Sequence, residues 1–490
     1  MQFTMLSKLR AEEAPNAHCI SDSNISLTNY EFHKAVLRAA GTMDSQGICE
    51  GDVVALMLPN QVEFVVAMFA AWYLGAAITP INPMLTHKEA NHQLKDSGAK
   101  LLINLTGEKI DNNVSSIAVT MLKHGDEFQH APVVNPEALA LLIYTSGTTG
   151  LPKGVMLDHS NIIAMTEMGR EGLQISEKDH CLLILPLFHV NGIVVSILVP
   201  LASGGRVTIR QRFDIETFFS DIEQLQPTYF SAVPTIYAML YALPKEVVPD
   251  VSSLVSSLRY GVCGAAPASA DLLVNFEKRY GFPIVEAYGL SEGTCGSTLN
   301  PVNGIRKAGT VGRPLPGQKI AIADFNGRHL PVGEIGEVLI QGKNVMRGYL
   351  NKPEETAKTV VNGWLHTGDI GRIDDEGYLS IVGRLKEMII RGGENIYPKE
   401  IEDTLLEVSE VFEAAVIGVS DEKWGEVVWA FISLKPNAEC SIDQINQYCK
   451  QHLTRYKQPE KVIVLPTLPK NAVGKIDKPK LRGLYQVQGA

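Results

Sequence analysis

Ala138-Leu-Ala-Leu-Leu-Ile-Tyr-Thr-Ser-Gly-Thr-Thr-Gly-Leu-Pro-Lys-Gly-Val-Met-Leu157 decides how the chain is read. An apolar run of strand length is followed by ten residues, Thr145 to Gly154, that hold four hydroxyl side chains, three glycines and Lys153, and then by a second apolar run. The composition of the loop suits phosphate oxygens. Glycine lets backbone N–H groups turn inward, hydroxyls donate further hydrogen bonds, and lysine supplies positive charge. Pro152 stands where a Walker A loop requires its second glycine, so this is a different phosphate loop. The apolar residues Val155-Met-Leu157 predict that it joins two strands and does not open a helix. A Ser/Thr/Gly-rich hairpin turn is the plain alternative, but such turns need two to five residues.

Outward from this loop, strand-length apolar runs alternate with longer amphipathic stretches. Val53–Leu58, Cys181–Leu185, Val207–Ile209 and Thr228–Val233 read as strands, and Val62–Tyr73, Ile215–Leu225 and Ser269–Tyr280 as helices. This alternation predicts α/β layers with largely parallel sheets. From about residue 310 to 383, short strands and Gly/Pro turns predict a β-rich subdomain. Beyond Ile381-Val-Gly-Arg-Leu-Lys-Glu387 the pattern is helix Pro398–Val408, strands Ala414–Val419 and Val428–Leu434, helix Ile442–Leu453 and strand Lys461–Leu465, a small α+β unit. The fold class is α/β, with a body at 1–383, a connection at 384–387 and a C-terminal unit at 388–490.

At 490 residues the chain is long enough for two or more domains. A net charge of −10 disfavours nucleic acid as a partner. The seven cysteines form no C-x-x-C pair, which argues against a disulfide framework or zinc site. Phe64–Ile78 is too short for a membrane span and reads as a buried helix. Met1–Arg10 lacks the order of a signal peptide and Val487-Gln-Gly-Ala490 carries no targeting tripeptide, so a cytoplasmic enzyme is expected. A homodimer is one assembly the sequence allows. Arg455–Arg482 holds eight Lys/Arg against two Asp/Glu. That segment reads either as an ordinary basic face or as a landing surface for phosphates.

Tyr144–Gly154 resembles the signature of the adenylate-forming superfamily, which includes acyl-CoA synthetases, and further motifs follow in the family order through nearly the whole chain. The resemblance implies an ATP-dependent reaction with Mg²⁺ that activates a small carboxylic acid as acyl-adenylate, releases pyrophosphate, and transfers the acyl group to a thiol. It implies that Thr145, Ser146, Gly147, Thr148, Thr149, Gly150 and Lys153 cradle the triphosphate. Gly264, Ala265 and Ala266 line adenine, although a small-residue run by itself usually marks tight packing. In Tyr288-Gly-Leu-Ser-Glu292, Tyr288 and Gly289 lie against adenine, Ser291 reaches the α-phosphate, and Glu292 holds Mg²⁺ with Thr145. The chemistry is apt, since Mg²⁺ takes hard oxygen ligands with few carboxylates.

By the same resemblance, Asp369 in Trp364-Leu-His-Thr-Gly-Asp369 binds the ribose hydroxyls, with Arg384 beside it. Lys475 is the lysine of a mobile lid that stabilises the transition state by charge. Lys386 is the hinge, although by residue type it reads equally as an exposed loop lysine. His189 closes the carboxylate end of an acyl pocket with Val190, Asn191 and Phe230. Amino-acid-activating relatives carry an aspartate where Val190 stands, which disfavours an α-amino acid here, because an unpaired buried ammonium is costly. The absence of a cation at these positions and at Phe230–Val233 favours an uncharged tail, fatty or aromatic. Arg391, Gly392 and Gly393 match the loop that passes the pantetheine arm of coenzyme A. The alternatives are an enzyme that loads a carrier protein, an inactive nucleotide-binding module, and a luciferase-like oxygenase.

Overall fold

The computed structural model describes residues 2–111, 113–145, 152–244, 246, 248, 256–266, 268–435, 438–470 and 476–486. Ser146, Gly147, Thr148, Thr149, Gly150 and Lys475 lie outside them. The chain divides into two compact units, one of residues 1–320 with 340–366, the other of 321–339 with 367–490.

In the first unit, the two apolar runs flanking the glycine-rich loop form antiparallel strands, Leu139–Thr145 and Lys153–Asp158, with Thr145 opposite Lys153. The loop therefore joins two strands, as its flanks require. They belong to a seven-stranded sheet ordered Gly348–Tyr349, Lys153–Asp158, Leu139–Thr145, Ala77–Pro80, Val53–Met57, Leu101–Asn104 and Ser115–Ala118. Its interior is parallel and the 153–158 and 348–349 edge is antiparallel.

A nine-stranded sheet is parallel through Ile284–Tyr288, Tyr260–Cys263, Tyr229–Ala232, His180–Leu183, Arg206–Ile209 and His18–Ser21, with antiparallel strands added at both ends. The apolar helix Val62–Tyr73 is buried all round, which is why its sequence shows no polar face. Its Trp72 indole donates to the Ala140 carbonyl at 2.8 Å, tying the helix to the strand that leads into the loop. Among the described residues, no helix is long and apolar enough to cross a membrane. All seven cysteines are free thiols.

The strands of 310–383 are shared among three sheets. Arg313–Pro314 joins the nine-stranded sheet, Gly348–Tyr349 the seven-stranded one, and Lys319–Ala323, Gly336–Gln341, Trp364–Ile373 and Leu379–Arg384 lie in a third. Between them the segment also forms a helix, Pro353–Thr359, with proline at its first turn.

In the second unit, Val411–Asp421 and Gly425–Leu434 form a long antiparallel hairpin, and Lys461–Val464 adds in parallel to the latter. Helices Pro398–Leu406 and Ile442–His452 bury Ile401, Leu405, Ile445 and Cys449 with the apolar residues of this sheet. These elements are the α+β part of the second unit, which also takes in 321–339 and 367–383, residues that the sequence reading placed in the body.

Candidate active site

Four neighbouring parallel strands of the nine-stranded sheet end next to the candidate residues. Leu185–Asn191 follows His180–Leu183, Val233 follows Tyr229–Ala232, Gly264–Ala266 follows Tyr260–Cys263, and Gly289–Glu292 follows Ile284–Tyr288. In open α/β sheets ligands bind outside the carboxyl ends of the strands. The sheet thus gathers the candidate adenine, α-phosphate, metal and acyl positions along one edge of the first unit.

The two turns nearest the proposed adenine position are strained. Ala265 has φ +68°, Thr294 +55° and Cys295 +113°, all in the left-handed region that residues with a Cβ rarely occupy. Gly289 is forced by packing: a Cβ there would lie 1.8 Å from the Cys295 carbonyl oxygen. The turn is held by Ser297 N–H donating to Tyr288 O at 2.7 Å and Cys295 N–H to Leu290 O at 3.1 Å. A second layer straps it. Met346 N–H donates to Glu292 O at 2.8 Å, Asn344 Nδ2 to Gly293 O at 2.9 Å, and Thr294 Oγ1 to Asn344 O at 2.5 Å.

Glu292 is half-buried, and its Oε1 accepts from the Tyr349 hydroxyl at 2.8 Å. The Tyr349 ring also carries Lys153, whose Nζ lies 5.2 Å from the ring centroid and is ion-paired with Glu355. Burial pushes the Tyr349 hydroxyl well above the usual phenol range, and the neighbouring Glu292 charge adds to it, so Tyr349 acts as a donor. Thr145 and Lys153 face each other at the mouth of the glycine-rich loop, and Tyr144 is anchored through its hydroxyl to Asp96 Oδ2 at 2.8 Å.

On the acyl side, the loop before His189 is pinned by buried Asn60. Its amide donates to the Leu185 and Arg210 carbonyls at 2.9 and 3.1 Å, and its Oδ1 accepts from Leu187 N–H at 2.8 Å. His189 precedes helix Val190–Ile193, which continues into a π-helical turn, Val194–Leu198, and its ring packs on Phe188. π-turns recur at functional sites. Ser231 Oγ donates to Asn191 Oδ1 at 3.0 Å. Phe230 is not brought to this face. Alternation along Tyr229–Ala232 turns it the other way, fully buried against Phe218, Tyr237 and Phe282. Ser231 is the residue on that strand that meets Asn191, and period-two reading from Phe230 would have found it.

In the second unit, Asp369 and Arg384 stand opposite each other in adjacent strands, and Arg384 Nε donates to Asp369 Oδ1 at 2.9 Å. Asp369 is 3% exposed and Arg384 is exposed, so the carboxylate is oriented by a cation that solvent still reaches. Lys386 lies in the short turn Leu385–Glu387.

Gly392 and Gly393, φ +60° and +90°, make the two-residue turn between Ile389–Arg391 and Glu394–Ile396. Arg391 is engaged locally, donating to the Tyr456 and Gln458 carbonyls and pairing with Glu460 at 2.6 Å. Three of the lysines of 455–482 are also ion-paired within this unit. Lys457 pairs with Glu400 and Lys470 with Glu413, while Lys478 pairs with both Glu387 and Glu402.

Among the described residues no three His, Cys, Asp or Glu side chains cluster as a complete metal site. A single oriented carboxylate, Glu292, beside the candidate phosphate residue Lys153 suits Mg²⁺, which keeps several waters and takes substrate phosphates as ligands.

Comparison with known proteins gives the family. Residues 8–350 match the AMP-binding enzyme family and 400–475 the AMP-binding enzyme C-terminal domain. The chain is 35% identical to feruloyl-CoA synthase of Amycolatopsis sp, covering 96% of this chain and 97% of that one. It is 34% identical to oxalate–CoA ligase of Arabidopsis thaliana, over 96% and 95% of the two chains. Among solved structures, O-succinylbenzoate coenzyme A synthetase from Bacillus subtilis in complex with ATP and magnesium ion superimposes with a TM-score of 0.89, at 32% identity over 97% of this chain and 99% of that one. The chain belongs to the AMP-binding enzyme family, in its acyl-CoA synthetase branch.

Proposed function

We propose that this acyl-CoA synthetase acts on a carboxylic acid with an uncharged tail, fatty or aromatic, and that its steps are divided between the two units as follows. The reaction is the ATP-dependent joining of acid and thiol through acyl-AMP, with coenzyme A as acceptor; loading of a carrier protein is not favoured by the relatives, which are CoA ligases. Lys153, Thr145 and the residues between them hold the β- and γ-phosphates, Ser291 meets the α-phosphate, and Tyr288 with Gly264–Ala266 encloses adenine. Glu292 and Thr145 would hold Mg²⁺, which when bound neutralises phosphate charge. Asp369, aligned by Arg384, accepts from the ribose hydroxyls, and Lys475 balances the charge that develops as pyrophosphate leaves.

Coenzyme A then enters past Arg391, Gly392 and Gly393 after rotation about Lys386. Within the second unit Lys386 lies in the short turn Leu385–Glu387, between Arg384, paired with Asp369, and Glu387, paired with Lys478 at 2.8 Å.

The single observation that carries this reading is the succession of His189, Gly264–Ala266 and Tyr288–Glu292 beyond adjacent parallel strands. The choice of acid rests on the pocket. Val190, Asn191 and Ser231 offer no cation to a second carboxylate, whereas oxalate and succinylbenzoate, named for two of the relatives, each carry one. A pyrophosphate-release screen with coenzyme A tests this, using short, medium and long fatty acids, benzoates, cinnamates and dicarboxylates. Monocarboxylates should give the highest kcat/KM; a dicarboxylate preferred over every monocarboxylate would overturn the assignment of the tail.

A further inference from the structure

We propose that Glu355 is a resident competitor for the triphosphate: its carboxylate pairs with Lys153, yields it when nucleotide binds, and takes it back as pyrophosphate leaves. The inference rests on the reading of Lys153 as a triphosphate ligand. Lys153 is only 16% exposed, with the Glu355 carboxylate as ion-pair partner and the Tyr349 ring 5.2 Å from its Nζ. An ammonium accepts carboxylate and phosphate oxygens by the same hydrogen bonds, so the two compete for one group of donors.

Backbone contacts build the pair into the fold. Tyr349 is opposite Val155 in the sheet, and Leu350 N–H donates to Gly154 O at 2.8 Å, so the segment carrying Glu355 is fastened beside Lys153. Tyr349 N–H donates to Thr356 Oγ1 at 2.9 Å, and that hydroxyl donates to Lys352 O at 3.0 Å, which seats the first turn of helix Pro353–Thr359. Side-chain rotation alone therefore separates the paired state from the released one. Hydrogen bonding to Lys153 holds the Glu355 carboxyl below the usual carboxylate range, so it is charged when it competes. Lys352 Nζ, 4.0 Å from Glu355 Oε1, provides a second cation once Lys153 has left.

The test is equilibrium binding of MgATP, and separately of magnesium pyrophosphate, to the full chain without acid or coenzyme A. In Glu355→Gln both dissociation constants should fall by about 1.5- to 5-fold, the range of a partly exposed ion pair. The gain should shrink at high salt, which screens such a pair. Glu355→Asp, which keeps the charge, should bind like the wild type. Unchanged or weaker binding in Glu355→Gln would overturn the proposal. Lys153→Met separates the two levels of the argument: if it binds MgATP as tightly as the wild type, Lys153 is no triphosphate ligand and the underlying reading fails. If Lys153→Met binds more weakly while Glu355→Gln gains nothing, the competition alone fails.

Discussion

Adding one carbon at Gly289 should disable nucleotide activation while leaving most of the protein intact. The Cβ of Gly289→Ala would lie 1.8 Å from Cys295 O, 2.7 Å from Cys295 C and 2.8 Å from Gly296 Cα, all backbone atoms that no side-chain rotation can clear. Reaching even a 3.0 Å contact moves the opposing carbonyl by about 1.2 Å. That shift strains or breaks the Ser297–Tyr288 and Cys295–Leu290 backbone bonds, at 2.7 and 3.1 Å, in a turn that already holds Thr294 and Cys295 at positive φ. Two hydrogen bonds at about 1 kcal/mol each, with residual strain, give a local cost of about 2–4 kcal/mol. Ser291 and Glu292 sit inside the turn, and a 1 Å misplacement of catalytic groups costs about 10²-fold. Pyrophosphate release at varied ATP should show kcat/KM for ATP lower by roughly that factor, while Gly483→Ala, with no atom within 4 Å of the added carbon, stays at the wild-type value. Wild-type kcat/KM and an unchanged urea midpoint in Gly289→Ala would refute the reasoning.

Three further outcomes follow from the geometry. Burial pushes the imidazoles of His159 and His180 down to about 4, in the latter case with help from Arg206. The unfolded chain therefore binds more protons between pH 6.5 and 4, and stability that is full above pH 6.5 falls as pH drops towards 4, by at most about 3 kcal/mol for each histidine; a urea midpoint whose pH slope is unchanged in His159→Gln and His180→Gln would contradict this. Lys386→Pro, which fixes φ at the proposed pivot, should spare pyrophosphate exchange and slow acyl transfer to coenzyme A in single-turnover kinetics; equal rates for both steps would move the pivot elsewhere. Lys475→Ala should lose acyl-AMP formation yet convert supplied acyl-AMP to acyl-CoA, and equal loss of both half-reactions would remove the lysine from its assigned role.

The elements that set the fold were legible because each follows a local rule. The strands flanking Thr145–Gly154 are short apolar runs. Val62–Tyr73 is a helix too apolar to be anything but buried, and Ser269, read as the first residue of its helix, caps it with its hydroxyl. What local rules miss is what distant segments decide. Glu355 is 202 residues from Lys153, and Tyr349 is 57 from Glu292. Neither pair has a spacing that betrays contact. Arg313–Pro314 and Gly348–Tyr349 are two-residue strands whose sheets are chosen by their partners, so a β-rich reading of 310–383 could not assign them. Helix Pro353–Thr359 did leave a signal, a proline followed by Glu354 and Glu355 in the first turn. The basic stretch 455–482 looks unbalanced in sequence because Glu387, Glu400, Glu402 and Glu413, which pair with three of its lysines, lie earlier in the chain.

The most direct test of the central claim is the stoichiometry of products from MgATP and the best acid of the screen, with coenzyme A withheld and then supplied. Acid-dependent formation of pyrophosphate with enzyme-held acyl-AMP in the first case, and of equal amounts of pyrophosphate, AMP and acyl-CoA in the second, is the predicted result. Formation of ADP and phosphate, or release of pyrophosphate that does not depend on the acid, would contradict it.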